Sequence, residues 1–279
     1  MQNITQRLRA LFPGLGLALG LVFGLGGAGN AQAQISDTQA EQLMKLSGQW
    51  EQLALAATQM REGLLQGLAA GPKPASAEVQ QKVKQAAGPA FEADRLRGAA
   101  RRAVAENTRL NQLPELMRWY ESPTARSITQ AEVDDTARAE ADIQARTKRG
   151  MALVQAATPQ RQQLLLRLVE ASRAASASAD IIIQMGAMLP LALVRFDPQA
   201  PPLSEAELRA TLQEQRPQLV QAFETISLAG FAIAYQALPD EALAAYGNFL
   251  AGAAGQHYGD VAEKSFEAAI SAAIAALKP

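Results

Sequence analysis

The chain has 279 residues, 48% hydrophobic, 19% charged and 5% aromatic, with one histidine, no cysteine and a formal net charge of −1. An apolar fraction this high offsets the entropy of ordering, so a globular protein of one large or two ordinary domains is expected and extended disorder is excluded. Without cysteine there are no disulfides, thiolate metal sites or cysteine nucleophiles; the lone His257 removes sites needing two imidazoles, and the balanced charge argues against a nucleic-acid partner.

Residues 1 to 33 read as a cleaved export signal. Arg7 and Arg9, with no acid near them, precede an apolar stretch from Leu11 to Ala28, and small residues close it at Ala31-Gln32-Ala33, which places cleavage after Ala33. An uncleaved anchor is the alternative, because about 18 apolar residues can just span a bilayer. Pro13 and the glycines between Gly14 and Gly27 suit a transient segment better. The expected location is therefore the periplasm, with no stable membrane span after processing and no cofactor loaded beforehand.

From Ser36 onward the chain reads as all-α, with alanine-rich runs, charges at helical spacing and no alternating β-branched stretch. Ser36 with Gln39 forms a capping signal for a first helix that carries Leu43, Leu46, Trp50, Leu53, Ala57, Met60 and Leu64 in steps of three and four. Gly71-Pro72-Lys73-Pro74 stops it, and Ser76 caps a helix that bends or breaks at Gly88-Pro89 and runs on to about Asn107. A short element from Leu113 to Glu121 follows. Ser122 and Pro123 then open a long helix reaching about Ala157.

The same order of signals recurs. Thr158-Pro159 starts a helix through Leu164, Leu168, Ala171 and Ala175 to about Met188; the proline loop from Pro198 to Pro202 and the Ser204 cap with Glu207 come next. A helix with Leu219, Phe223, Ile226, Gly230 and Ile233 on one face leads to Pro239, a short element ending near Leu250, a glycine break and a last helix. The expected organisation is a helical array of two similar halves, residues 34–157 and 158–279, arising by internal duplication. The alternative is that any alanine-rich helical chain rhymes with itself.

At Trp119 to Arg126 the chain reads W-Y-E-S-P-T-A-R, and about 130 residues later, at Phe249 to Gln256, it reads F-L-A-G-A-A-G-Q. Trp119, Tyr120, Ser122 and Pro123 resemble the signature of a family of exported, all-helical bacterial proteins of unknown function, an aromatic pair followed by x-S-P-x-G. Ala125 stands where that family usually has glycine, and the second copy replaces Ser-Pro with Gly252-Ala253. The resemblance implies an exported helical domain and no particular activity. Leu113, Leu116 and Tyr120 share a face with Trp119 beside it, so the segment reads first as a packed corner. Trp119, Tyr120, Glu121, Ser122 and Pro123 are also the candidate surface for a partner or ligand.

Other chemistry is thinner. Glu121 followed by Gly252-Ala253-Ala254-Gly255 resembles the acid and glycine segment of lytic transglycosylases, but those elements lie within a few tens of residues there and about 130 apart here. Glu132, Asp134, Asp135, Glu140 and Asp142 suggest cation binding, yet Arg138 and Arg146 follow Asp134 and Asp142 by four, so a solvated face of ordinary helix pairs is expected. Arg95, Arg97, Arg101 and Arg102 are flanked by acids, and His257 is expected to cap a helix or lie on the surface. The run Ile181 to Val194 reads as too short to span a membrane and broken by Pro190, with core packing, an oligomer contact or an apolar ligand pocket as its possible uses. The composite expectation is a non-enzymatic binding or interaction protein of the cell envelope whose partner is an envelope protein, with a carrier of an apolar small molecule such as a lipid as the alternative.

Overall fold

In the computed structural model residues 34–70, 74–138, 142–197, 199–200 and 202–279 are described, and they form thirteen α-helices. No strand occurs among them; Gln34 and Arg109 make one isolated antiparallel bridge. The export signal over residues 1 to 33 falls outside the described residues, as do Pro72, Lys73, Glu140 and Pro198.

Helix starts follow the chain's capping chemistry. Ser36 and Gln39 close a reciprocal capping box on α1 (Asp37–Leu46). The Ser76 hydroxyl accepts from Val79 N at the head of α3 (Ala77–Ala90), and α4 (Ala93–Asn107) and α5 (Leu113–Tyr120) follow. Ser122 accepts from Ala125 N to open α6 (Pro123–Ala137), Thr158 from Arg161 N to open α8 (Pro159–Ser172), and Ser204 from Glu207 N to open α10 (Glu205–Gln213).

Helix stops depart from expectation at four places. The first stripe is divided: α1 ends at Ser47, Gly48 turns with φ 76°, and α2 (Gln49–Ala70) takes over. A Cβ at Gly48 would also sit 2.9 Å from Thr129 Cγ2, so both backbone and neighbour require glycine. The helix expected to reach Ala157 is two helices, α6 and α7 (Ile143–Ala156), the second capped by Asp142. Arg173 adopts the left-handed conformation, φ 53°, between α8 and α9 (Ala174–Val194). Finally, Pro190 does not break its helix: α9 runs through it. At 21 residues α9 is long and apolar enough to cross a membrane, but 61% of its most apolar window is buried inside the protein, where Ile181, Ile183, Met185 and Leu189 serve as core. The chain closes with α11 (Arg216–Ala234), α12 (Asp240–Ala251) and α13 (Ala253–Ala276).

Packing crosses the midpoint of the chain. α13 lies along α4, whereas α7 lies along α11, so the last helix of each sequence half is laid against the other half. Close approach of α7 to α11 depends on small residues: a Cβ on Gly150 would overlap the backbone of Ala229. One core gathers Leu43, Leu53, Leu96, Val104, Leu116 and Tyr120 with Ile181, Tyr258, Phe266 and Ile270. A second gathers Ile128 with Leu165, Leu168, Phe231, Tyr235, Leu243, Tyr246 and Leu250.

Candidate functional site

Trp119 and Phe249 are half-buried and pack against both cores, which makes the two corners of the sequence one feature in space. Leu113, Leu116 and Tyr120 put the apolar face of α5 inward, and Trp119 emerges at its edge. Leu243, Tyr246 and Leu250 do the same for α12. The rings of Trp119 and Phe249 stack with centroids 4.5 Å apart and planes 10° from parallel; the Tyr246 ring is also near-parallel to the tryptophan, 8° from it, at 6.1 Å. Tyr120 meets Phe249 edge-on at 5.6 Å and Tyr258 at 5.4 Å. Such offset and edge contacts match negative ring faces with positive edges.

Of the candidate surface residues, Trp119 and Tyr120 are therefore engaged inward. Ser122 is an N-cap, Pro123 supplies a first helical residue that needs no N–H partner, and Glu121 is exposed at the end of α5. Gly255, on the last helix, is where a Cβ would overlap the Phe249 carbonyl oxygen, so the second corner closes only because that side chain is absent.

Trp119 shares a small cavity with a carboxylate. Glu132, on α6 and 8% exposed, accepts hydrogen bonds at one oxygen from the hydroxyls of Tyr235, at 2.5 Å, and Tyr246, at 3.1 Å. Burial pushes its carboxyl up to about 7 from an ordinary 4.5, against the opposing pull of the two hydroxyl donors and with a further push from the nearby Asp135. Burial also raises the phenols of Tyr120, Tyr235 and Tyr246 well above their usual range. One turn on, Asp135 is held bidentately by Arg146 of α7 at 2.5 and 3.1 Å, both side chains buried. A cavity of about 10 Å³, the room of one water, is lined by Ser47, Trp119, Tyr120, Thr129, Glu132, Tyr246 and Tyr258.

This cluster corrects the solvated face expected over Glu132 to Asp142. Glu132, Asp135, Thr136 and Arg146 are buried, and Arg146 pairs with Asp135 instead of Asp142, whose own carboxylate caps α7 by accepting from Ala145 N. Arg138 turns back to the Asp134 carbonyl. The signal was present: Ala125, Ile128, Glu132 and Asp135 continue one stripe in steps of three and four, and the polar members inherit the inward direction of the apolar ones. Among the described residues no group of three or more acids or histidines is placed to hold a metal ion.

The remaining candidates are tied into the fold. Arg97 donates to the Trp50 carbonyl at 2.9 Å and covers its ring at 4.8 Å; Arg95 donates to the Pro89 carbonyl, and Arg101 reaches Asp37 and Glu41. His257, expected to cap a helix or lie on the surface, is half-buried and caps neither neighbouring helix: its Nε2 accepts from Arg109 N, in the connection between α4 and α5, at 2.9 Å; burial, with Arg109 and Lys264 nearby, lowers it to about 4.

Compared with known proteins, the chain matches no family model, no curated protein and no solved structure. The likeness at Trp119, Tyr120, Ser122 and Pro123 thus rests on those residues themselves.

Proposed function

We propose that this protein is an exported, non-enzymatic interaction protein of the cell envelope, with an envelope protein as its partner. One observation carries the reading: the ionisable groups gathered at the corners are spent on holding helices together, with Glu132 enclosed by tyrosines around a cavity no larger than one water. A carboxylic acid that works on a polymer must reach it, and Glu132 is enclosed. The open concavity between α8 and α12, about 490 Å³ and bordered by Leu164, Arg167, Glu170, Leu243, Asn248 and Gln256, is of a size that a partner's side chains can enter. A lipid carrier would need a cavity beneath Ile181 to Val194; Ile181, Ile182, Ile183, Met185 and Leu189 of that run pack as core, and Leu212 approaches Gly186 so closely that a Cβ there would lie 2.8 Å from its methyl.

Export has its own check: N-terminal sequencing of the protein from an envelope fraction is expected to begin at Gln34, and a retained Met1 would indicate an anchor. For the partner, cross-linking in intact cells followed by purification is expected to return a specific envelope protein. Stoichiometric lipid in native mass spectrometry would favour the carrier. Cleavage of peptidoglycan by the wild type, abolished in Glu121→Gln, would overturn the non-enzymatic reading.

A further inference from the structure

The two carboxylates buried on α6 are treated differently. Asp135 is neutralised by the Arg146 guanidinium, whereas Glu132 meets hydroxyls, from Tyr235 at the end of α11 and Tyr246 on α12. The groups facing it from other elements are also phenols, Tyr120 of α5 and Tyr258 of α13 across the water-sized cavity, with the Asp135 charge on its own helix. α6, the end of α11 and α12 therefore meet on one carboxyl oxygen, beside the water-sized cavity that Trp119 also lines.

We propose that Glu132 is a protonation-controlled clasp: as the neutral acid it fastens α6 to α11 and α12, and as the carboxylate it loosens the joint beside the aromatic corner. A neutral carboxyl still accepts from the tyrosines and brings no charge into a wall of rings. The ionised form needs either a cation or water, and the guanidinium one turn away is already committed to Asp135. The cavity has room for a single water, whereas hydrating a carboxylate takes several, so ionisation widens it and separates α6 from the ends of α11 and α12. Because the carboxyl loses its proton near neutrality, the device responds within the pH range an envelope protein meets. The clasp goes beyond the interaction reading and is tested on the purified protein with no partner present, so the two can fail separately.

The test is amide hydrogen exchange over residues 125–137 and 228–250 at pH 6 and pH 8, corrected for intrinsic exchange rates. Glu263 is the control, a half-buried glutamate on α13, away from the tyrosines, that burial and the nearby Glu267 and Asp180 also push up to about 7. Wild type and Glu263→Gln are expected to lose about tenfold in protection between the two pH values, the ratio that linkage gives for a group near 7 in the closed joint and near 4.5 when open. Glu132→Gln is expected to be protected equally at both. Equal protection in wild type, or the same loss in Glu132→Gln, overturns the clasp. Tyr235→Phe and Tyr246→Phe give a second reading that does not depend on how well Glu132→Gln folds. Each removes a donor that favours the carboxylate, so the transition is expected to move to higher pH, and a midpoint that stays in place contradicts the proposal.

Discussion

The corner after Trp119 and the corner after Phe249 turn the backbone alike, Ser122 at φ −68°, ψ 149° and Gly252 at φ −75°, ψ 161°, each as the N-cap of the next helix. They reach that shape by opposite means. At the first, a hydroxyl satisfies the Ala125 N–H and proline presets the helix entry; at the second no side chain caps the helix, and the turn closes because Gly255 leaves room for the Phe249 carbonyl. Equal geometry from added chemistry on one side and removed bulk on the other explains why Ser-Pro and Gly-Ala can occupy matching places with no letter in common.

This contrast is sharpest when the corners are given each other's residues. Gly255→Ala is expected to cost about 3 kcal/mol or more in urea unfolding, since the overlapping atom is backbone and cannot swing aside. Ala125→Gly, its counterpart, removes only a buried methyl and some helix propensity and is expected to cost about 1 to 2 kcal/mol. Equal losses at the two positions would remove the distinction. Trp119→Ala comes next at about 2 to 4 kcal/mol, somewhat below a fully enclosed aromatic because the ring is half-buried.

Each corner also leads into a helix that carries a neutralised ionisable group, with opposite consequences for pH. Glu132 holds its proton more tightly folded than unfolded, so its contribution is complete below about pH 4.5 and is lost as pH rises through about 7, an expected change of about 1 to 3 kcal/mol by which the loss shrinks in Glu132→Gln, the share of Glu263 remaining. His257 is depressed to about 4, so its contribution is present above pH 6.5 and is lost as pH falls through 4; His257→Gln is expected to flatten that acid limb. Ser122→Ala follows at about 1 kcal/mol, whereas Gly252→Ser, which offers the missing cap against a Cβ contact of 3.2 Å to the Phe249 oxygen, is expected to stay within about 0.5 kcal/mol of wild type. Glu121→Gln is expected to leave the unfolding midpoint unchanged.

Much of this architecture is legible in the sequence. Caps at Ser36, Ser76, Ser122, Thr158 and Ser204 identified helix starts because a side-chain oxygen before an apolar stripe has one main use. Stops were harder. The Ser47-Gly48 pair was a usable signal hidden by an apolar stripe that continues across it, while Arg173 carries no residue-type signature of the left-handed conformation at all. At the site, the apolar faces of α5 and α12 were legible, but not that the corners stack on one another, because nothing in either segment encodes contact across 130 residues. The burial of Glu132, Asp135 and Arg146 is not legible because i to i+4 pairing is the cheapest account of alternating acids and arginines. Arg146 instead reaches Asp135 through an interior made accessible by the small residues of α7 and α11.

The pairing of the two corners depends on Trp119 and Phe249 acting as one contact between two cores. A double-mutant cycle of Trp119→Ala, Phe249→Ala and the double variant, measured by equilibrium urea unfolding at pH 6, addresses this directly. The stacked geometry predicts a coupling of about 0.5 to 1.5 kcal/mol, the double variant losing less than the two single losses combined. Losses that add without coupling would show that the two rings stabilise their own corners independently, and the joint described here would not exist.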